Sequence, residues 1–89
     1  MLELKVRDER IKGKKLRNKG LVTGTLKRKN GDIIPICLLS NLLEQYILVT
    51  DYCKDLDVVF EKEIVHAHIK EAQRHFTKNN VINMDFVEL

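Results

Sequence analysis

The sequence predicts a mostly β (α+β) domain: a six-stranded antiparallel barrel, closed or nearly closed, with one or two short helices and a basic loop after the first strand. Three observations carry that prediction. Short stretches with an apolar residue at every second position recur along the 89 residues, which is the period of a strand with one buried face. Polar, turn-forming segments separate them. Strand patterns outnumber helix patterns with no strand–helix–strand alternation, so a parallel α/β sheet is disfavoured and a closed β architecture favoured.

Leu2, Leu4 and Val6 alternate with Glu3, Lys5 and Arg7 and predict the first strand. Residues 8–20, DERIKGKKLRNKG, have too little apolar period to pack as a core element. They predict a basic loop with a helical turn around Lys14 to Arg17. Leu21 to Lys29 resumes strand chemistry, with Gly24 marking a bulge or a close backbone approach. Asn30-Gly31 is the strongest hairpin signal, since both residues accept positive φ in a type I′ turn. Asp32 to Leu38 returns as the third strand, and Pro35 places it at an edge or beside a bulge.

Ser40 or Asn41 caps a helix of about two turns, whose apolar stripe is Leu42, Leu43, Tyr46 and Ile47. Residues 48–55 read equally as helix end, loop or short strand. Leu56, Val58 and Phe60 predict the fourth strand, and Glu63 to Glu71 the fifth, with Val65, Ala67 and Ile69 on its buried face. Val81 to Val87 is the sixth, with Ile82, Met84 and Phe86 buried. Its other face carries Asn83 and Asp85. A polar bend containing Gln73, Arg74 and His75 joins the last two strands.

The length allows one domain with one modest core. Charge follows Met1-Leu2 at once, so no leader is expected, and the longest apolar run, Ile33 to Leu39, is too short for a membrane helix. Two cysteines, Cys37 and Cys53, are simplest as reduced thiols of a cytoplasmic protein. The net charge of +3 hides an asymmetry: residues 1–29 hold eleven Lys/Arg against three acids, and residues 30–89 hold five against ten. Such clustering points to a polyanionic partner. A membrane surface would need large apolar anchors on a helix face, and the basic block offers only Ile11 and Leu16. Nucleic acid is therefore the expected partner. About five phosphate contacts would give a log–log salt slope of roughly −3.5 to −4.5. A solvated loop that merely keeps the chain soluble is the alternative.

Lys70-Glu71-Ala72-Gln73-Arg74-His75, followed by Asn83-Met84-Asp85-Phe86-Val87, resembles the end of one bacterial ribosomal family. Upstream, Gly13-Lys14-Lys15-Leu16-Arg17-Asn18-Lys19-Gly20 is similar to its basic segment. The family is the large-subunit ribosomal protein L-twenty-five, whose longer relatives are the general stress proteins called Ctc. The chain stops soon after the Asp-Phe-Val strand, as the short single-domain form does. The resemblance implies a six-stranded barrel that binds 5S ribosomal RNA across its basic loop and barrel face; away from the ribosome a monomer is expected. It implies that Lys14, Lys15 and Arg17 meet the RNA backbone, beside Arg10 and Lys19 of the same loop. Gln73, Arg74 and His75 then lie in the matching bend, and Asp85 on the RNA-facing side of the last strand. Asn83 stands where the family has histidine, and no tyrosine follows the Leu-Arg segment. The alternatives are a divergent relative reading another RNA in a stress-related or general role, and a protein-interaction barrel.

His66 and His68 stand two apart on one strand face, so a metal site is geometrically possible. Surface histidines or an RNA contact are the expected reading, with no metal and no cofactor. Gly-rich phosphate loops, nucleophile elbows and apolar carboxylate pairs are absent from the sequence, so no enzyme and no small-molecule substrate are expected.

Overall fold

Alternating apolar side chains need a common interior, and closing the sheet on itself supplies one. The computed structural model describes residues 2–41, 43, 55–74, 77 and 81–89. Its strands are β1 (Leu2–Val6), β2 (Leu21–Lys27), β3 (Ile33–Leu39), β4 (Asp55–Phe60), β5 (Glu63–Arg74) and β6 (Val81–Glu88), with helix α1 (Gly13–Asn18) between β1 and β2. They form a closed barrel in the order β1-β3-β2-β6-β5-β4. Leu4, Leu26, Ile36, Val58, Phe60, Met84 and Phe86 are almost fully buried inside it. Each such side chain contributes about 1.5–3 kcal/mol of transfer free energy.

The closed six-stranded barrel is as expected, and its strands are of mixed direction. Four of the described seams are antiparallel; β1–β4 and β2–β6 are parallel. A short hairpin can join only antiparallel strands. These two seams pair strands remote in sequence, Leu2 beside Val58 and Thr23 beside Asn83, where no hairpin dictates direction.

The β2–β6 seam requires a residue without a side chain. A Cβ on Gly24 would overlap the Met84 carbonyl oxygen and stand 2.7 Å from its carbon. The close backbone approach expected at Gly24 is thus where the barrel shuts. Pro35 accepts a hydrogen bond at its carbonyl from the Arg7 amide, at the point where β1 ends. In the closed barrel β3 lies between β1 and β2 rather than at an edge, and the missing N–H falls on the β1 side, so its cost is confined to the last rung of that ladder.

Several local expectations need correction. Asn30-Gly31 does not form a two-residue type I′ turn: residues 28–32 loop between Lys27 and Ile33, and of the two only Gly31 has positive φ, 96°. The Asn30 carboxamide instead accepts the Asp32 amide, and the Gly31 amide donates to the Arg28 carbonyl. A two-residue turn occurs at Glu61-Lys62, with φ of 50° and 67°, between the paired Phe60 and Glu63. Val6 is exposed because it lies at the barrel's end. Ile82 is only half-buried, and Val81 takes the inner position, because the β5–β6 register shifts between Gln73 and Arg74. Gln73 and Arg74 belong to β5 rather than to a bend.

Ser40, Asn41 and Leu43 are helical, where a helix start was expected, and Leu43 joins the core. The rest of that predicted helix, residues 48–54 with Cys53, and His75 lie outside the described residues.

Candidate nucleic-acid interface

A six-residue helix is too short to persist alone. Helix α1 is held by Leu16, which is buried yet outside the barrel cluster, while the helix packs against β2. Lys15 and Arg17 fall in its last turn, where cations oppose the helix dipole. With Leu16 turned inward, Lys14, Lys15, Arg17 and Lys19 are all exposed. The segment expected as a loop with one helical turn is thus a short basic helix seated on the barrel wall.

Two guanidinium groups converge over Gly13. A Cβ there would stand 3.0 Å from Arg17 Nη1 and 3.5 Å from Arg7 Nη2. Arg7 Nη2 donates to the Ile11 carbonyl at 3.4 Å, and Arg7 Nε is buried with no partner among the described residues. Like charges at this spacing repel, so the pair presents a concentrated positive field. Arg7 is the residue that pattern reading missed: it counted toward the basic block, but only the fold brings it to Arg17. Arg10 behaves differently. Its guanidinium grips both oxygens of Asp8 at 3.1 Å, and its backbone N–H donates to the same carboxylate. The Arg10 side chain holds the Asp8 carboxyl below its ordinary range, with the backbone bond adding to it.

Next to β2 lies β6, whose outward residues are Asn83 and Asp85. The seam sets Thr23 beside Asn83 and Thr25 beside Asp85. Asp85 Oδ1 accepts from the Thr25 hydroxyl at 2.8 Å and from the Thr25 amide at 3.1 Å, and Asn83 Nδ2 donates to it at 3.4 Å. The Thr23 hydroxyl is shared between Asn83 Oδ1 and the Ile82 carbonyl. Four side chains therefore lock across one seam, and neither threonine was singled out from the sequence. Asn83 uses one N–H and one oxygen lone pair of its amide in this lock.

The other neighbour of β6 is β5. A register shift at Lys70 turns Ala72 toward the core, and Glu71 and Gln73 come out beside Asp85 and Asn83. A bulge re-aims side chains in this way. Thr25, Lys27, Lys70, Glu71 and Asp85 line a shallow cleft of about 100 Å³. Arg74 is half-buried opposite Val81. Gln73, Asn83 and Asp85 thus share one outer face, and α1 sits against the strand that borders it.

Not every basic residue is available. Arg28 Nε donates to Glu88 at 2.9 Å, and its guanidinium caps the Phe60 ring 5.5 Å from the centroid. No described helix is long and apolar enough to cross a membrane. No curated protein matches the chain. A family model described as the Ribosomal L25p family matches residues 2–86.

Proposed function

The chain belongs to the Ribosomal L25p family, and from that premise we propose that it is a non-catalytic, RNA-binding component of the large ribosomal subunit that recognises 5S ribosomal RNA. The observation that carries the proposal is the juxtaposition on β2. The basic helix α1 packs on that strand, and the strand's threonines hold Asn83 and Asp85 on the adjoining one. Phosphate neutralisation falls to Arg7, Lys14, Lys15, Arg17 and Lys19. An anion lodged between the Arg7 and Arg17 guanidinium groups relieves their repulsion. Orientation falls to Gln73, Arg74, His75, Asn83 and Asp85, which offer hydrogen-bonding groups suited to 2′-hydroxyls and base edges. Arg10 contributes less than its charge suggests, because Asp8 already neutralises it. The protein is then cytoplasmic, ribosome-associated and monomeric when free.

One observation favours a second reading. Asn83 already accepts from Thr23 and gives one N–H to Asp85, so only its second N–H and second lone pair remain for a base. A relative that keeps the barrel and its basic helix while discriminating less between RNAs fits that feature.

A titration against 5S RNA and an unrelated hairpin RNA at two salt concentrations tests both. Lys14→Ala and Arg17→Ala should weaken binding to either RNA and reduce the salt slope by about 1 each. Asp85→Asn should keep the Thr25 bonds and reduce the preference for 5S RNA more than the bulk affinity. Salt slopes unchanged in both charge variants reject the assignment of α1. Equal affinity of the wild type for both RNAs selects the second reading.

A further inference from the structure

The β4–β5 seam carries a second cluster of polar chemistry that RNA binding does not use. His66 lies opposite Asp57 and His68 opposite Asp55 on the outward face. His66 Nδ1 is 2.6 Å from Asp57 Oδ1, and His68 Nδ1 is 2.7 Å from Asp55 Oδ1. An ionised carboxylate can only accept, so each Nδ1 carries a proton, which leaves Nε2 as the nitrogen able to offer a lone pair to a ligand. The His66 and His68 side chains are 59% and 41% exposed, so both rings are open to solvent.

We infer that His66 and His68 form a two-imidazole chelate for a divalent transition ion of the zinc, copper and nickel group. A histidine that ligates through one nitrogen almost always donates the other N–H to a carboxylate or carbonyl, which fixes the tautomer and raises ligand basicity. Here two adjacent histidines are both built that way. Exposed ion pairs contribute only about 0–1 kcal/mol, so stability is a weak reason for the duplication. Residues two apart on a strand project to the same side with Cα atoms about 6.7 Å apart. Two nitrogens at about 2.0–2.1 Å from one tetrahedral ion are about 3.3 Å apart, so each ring must lean by about 1.7 Å. Exposed rings hinged on flexible carboxylates can make that movement. Among the described residues no three candidate ligands converge; solvent fills the remaining positions, and the site is an open one. Imidazole donors select this group of ions over magnesium and calcium, which prefer oxygen.

Calorimetric titration of the full chain with zinc chloride at neutral pH, with magnesium chloride in parallel, tests the inference. One zinc per chain and no magnesium binding at the same concentrations are expected. His66→Ala or His68→Ala should weaken zinc binding by about 100-fold, since each leaves a single monodentate ligand. The double variant Asp55→Asn, Asp57→Asn should keep both ligands and weaken binding by about 10–100-fold. His75→Ala and Cys53→Ser should leave it unchanged. Circular dichroism of each variant separates loss of ligand from loss of fold. Wild-type zinc affinity in the folded His66→Ala and His68→Ala variants, or loss of binding in His75→Ala or Cys53→Ser, overturns the inference.

Discussion

Gly24→Ala tests the claim that barrel closure and the candidate RNA face depend on the same contact. A methyl group at this position meets backbone, the Met84 carbonyl, so no side-chain rotation relieves the overlap. Strands β2 and β6 must part. Overpacking of this kind costs about 1–3 kcal/mol. Parting the strands also loosens the two bonds from Thr25 to Asp85, at about 1 kcal/mol each. The expected loss is about 3–5 kcal/mol, a large part of the 5–15 kcal/mol typical of a native domain. For a chain of this size, 3 kcal/mol corresponds to a fall in Tm of roughly 12–24 °C. Urea and thermal unfolding followed by circular dichroism measure it. Gly31→Ala is the control: its φ of 96° strains an alanine, but nothing lies within 4 Å of the added methyl. That strain amounts to about 1–2 kcal/mol. If Gly24→Ala is no more destabilising than Gly31→Ala, the close approach of β2 and β6 is not what limits closure.

Replacing Glu61-Lys62 by Asn-Gly should raise stability by about 1 kcal/mol, because both residues sit at positive φ in a two-residue turn; an unchanged urea midpoint would contradict the turn geometry. The Glu88 carboxylate accepts from the Lys29 amide and the Arg28 side chain, which lower its pKa in that order of importance. A carboxyl depressed on folding adds stability that is complete above its unfolded pKa and is lost as pH falls through the folded one. Glu88→Gln should therefore show a shallower loss of stability on acidification than the wild type, and parallel acid-unfolding curves would refute that role.

Much of the barrel was readable before any pairing was known. Val65, Ala67 and Ile69, like Leu56, Val58 and Phe60, announce a buried face because alternation is a property of consecutive residues. The clustered charge of residues 1–29 likewise marks a basic surface whatever the fold. Register was less legible. The shifts at Lys70 and Ile82 leave the composition of their strands unchanged, yet they decide whether Gln73 or Ala72 faces outward. Asn30-Gly31 carried the right chemistry for a turn, but the pairing of Lys27 with Ile33 set the loop length.

The sequence by itself determined the strands, the buried alternation and the sign of the partner's charge, since each depends on residues adjacent along the chain. Tertiary structure alone decided which cations remain available. It pinned Arg28 over Phe60 against Glu88 and brought Arg7 to Arg17. It also placed Asp85 against Thr25, through a parallel seam between strands that no turn connects. Coulombic and hydrogen-bonding energies fall off within a few ångströms, so they act on neighbours in space, and it is folding that chooses those neighbours.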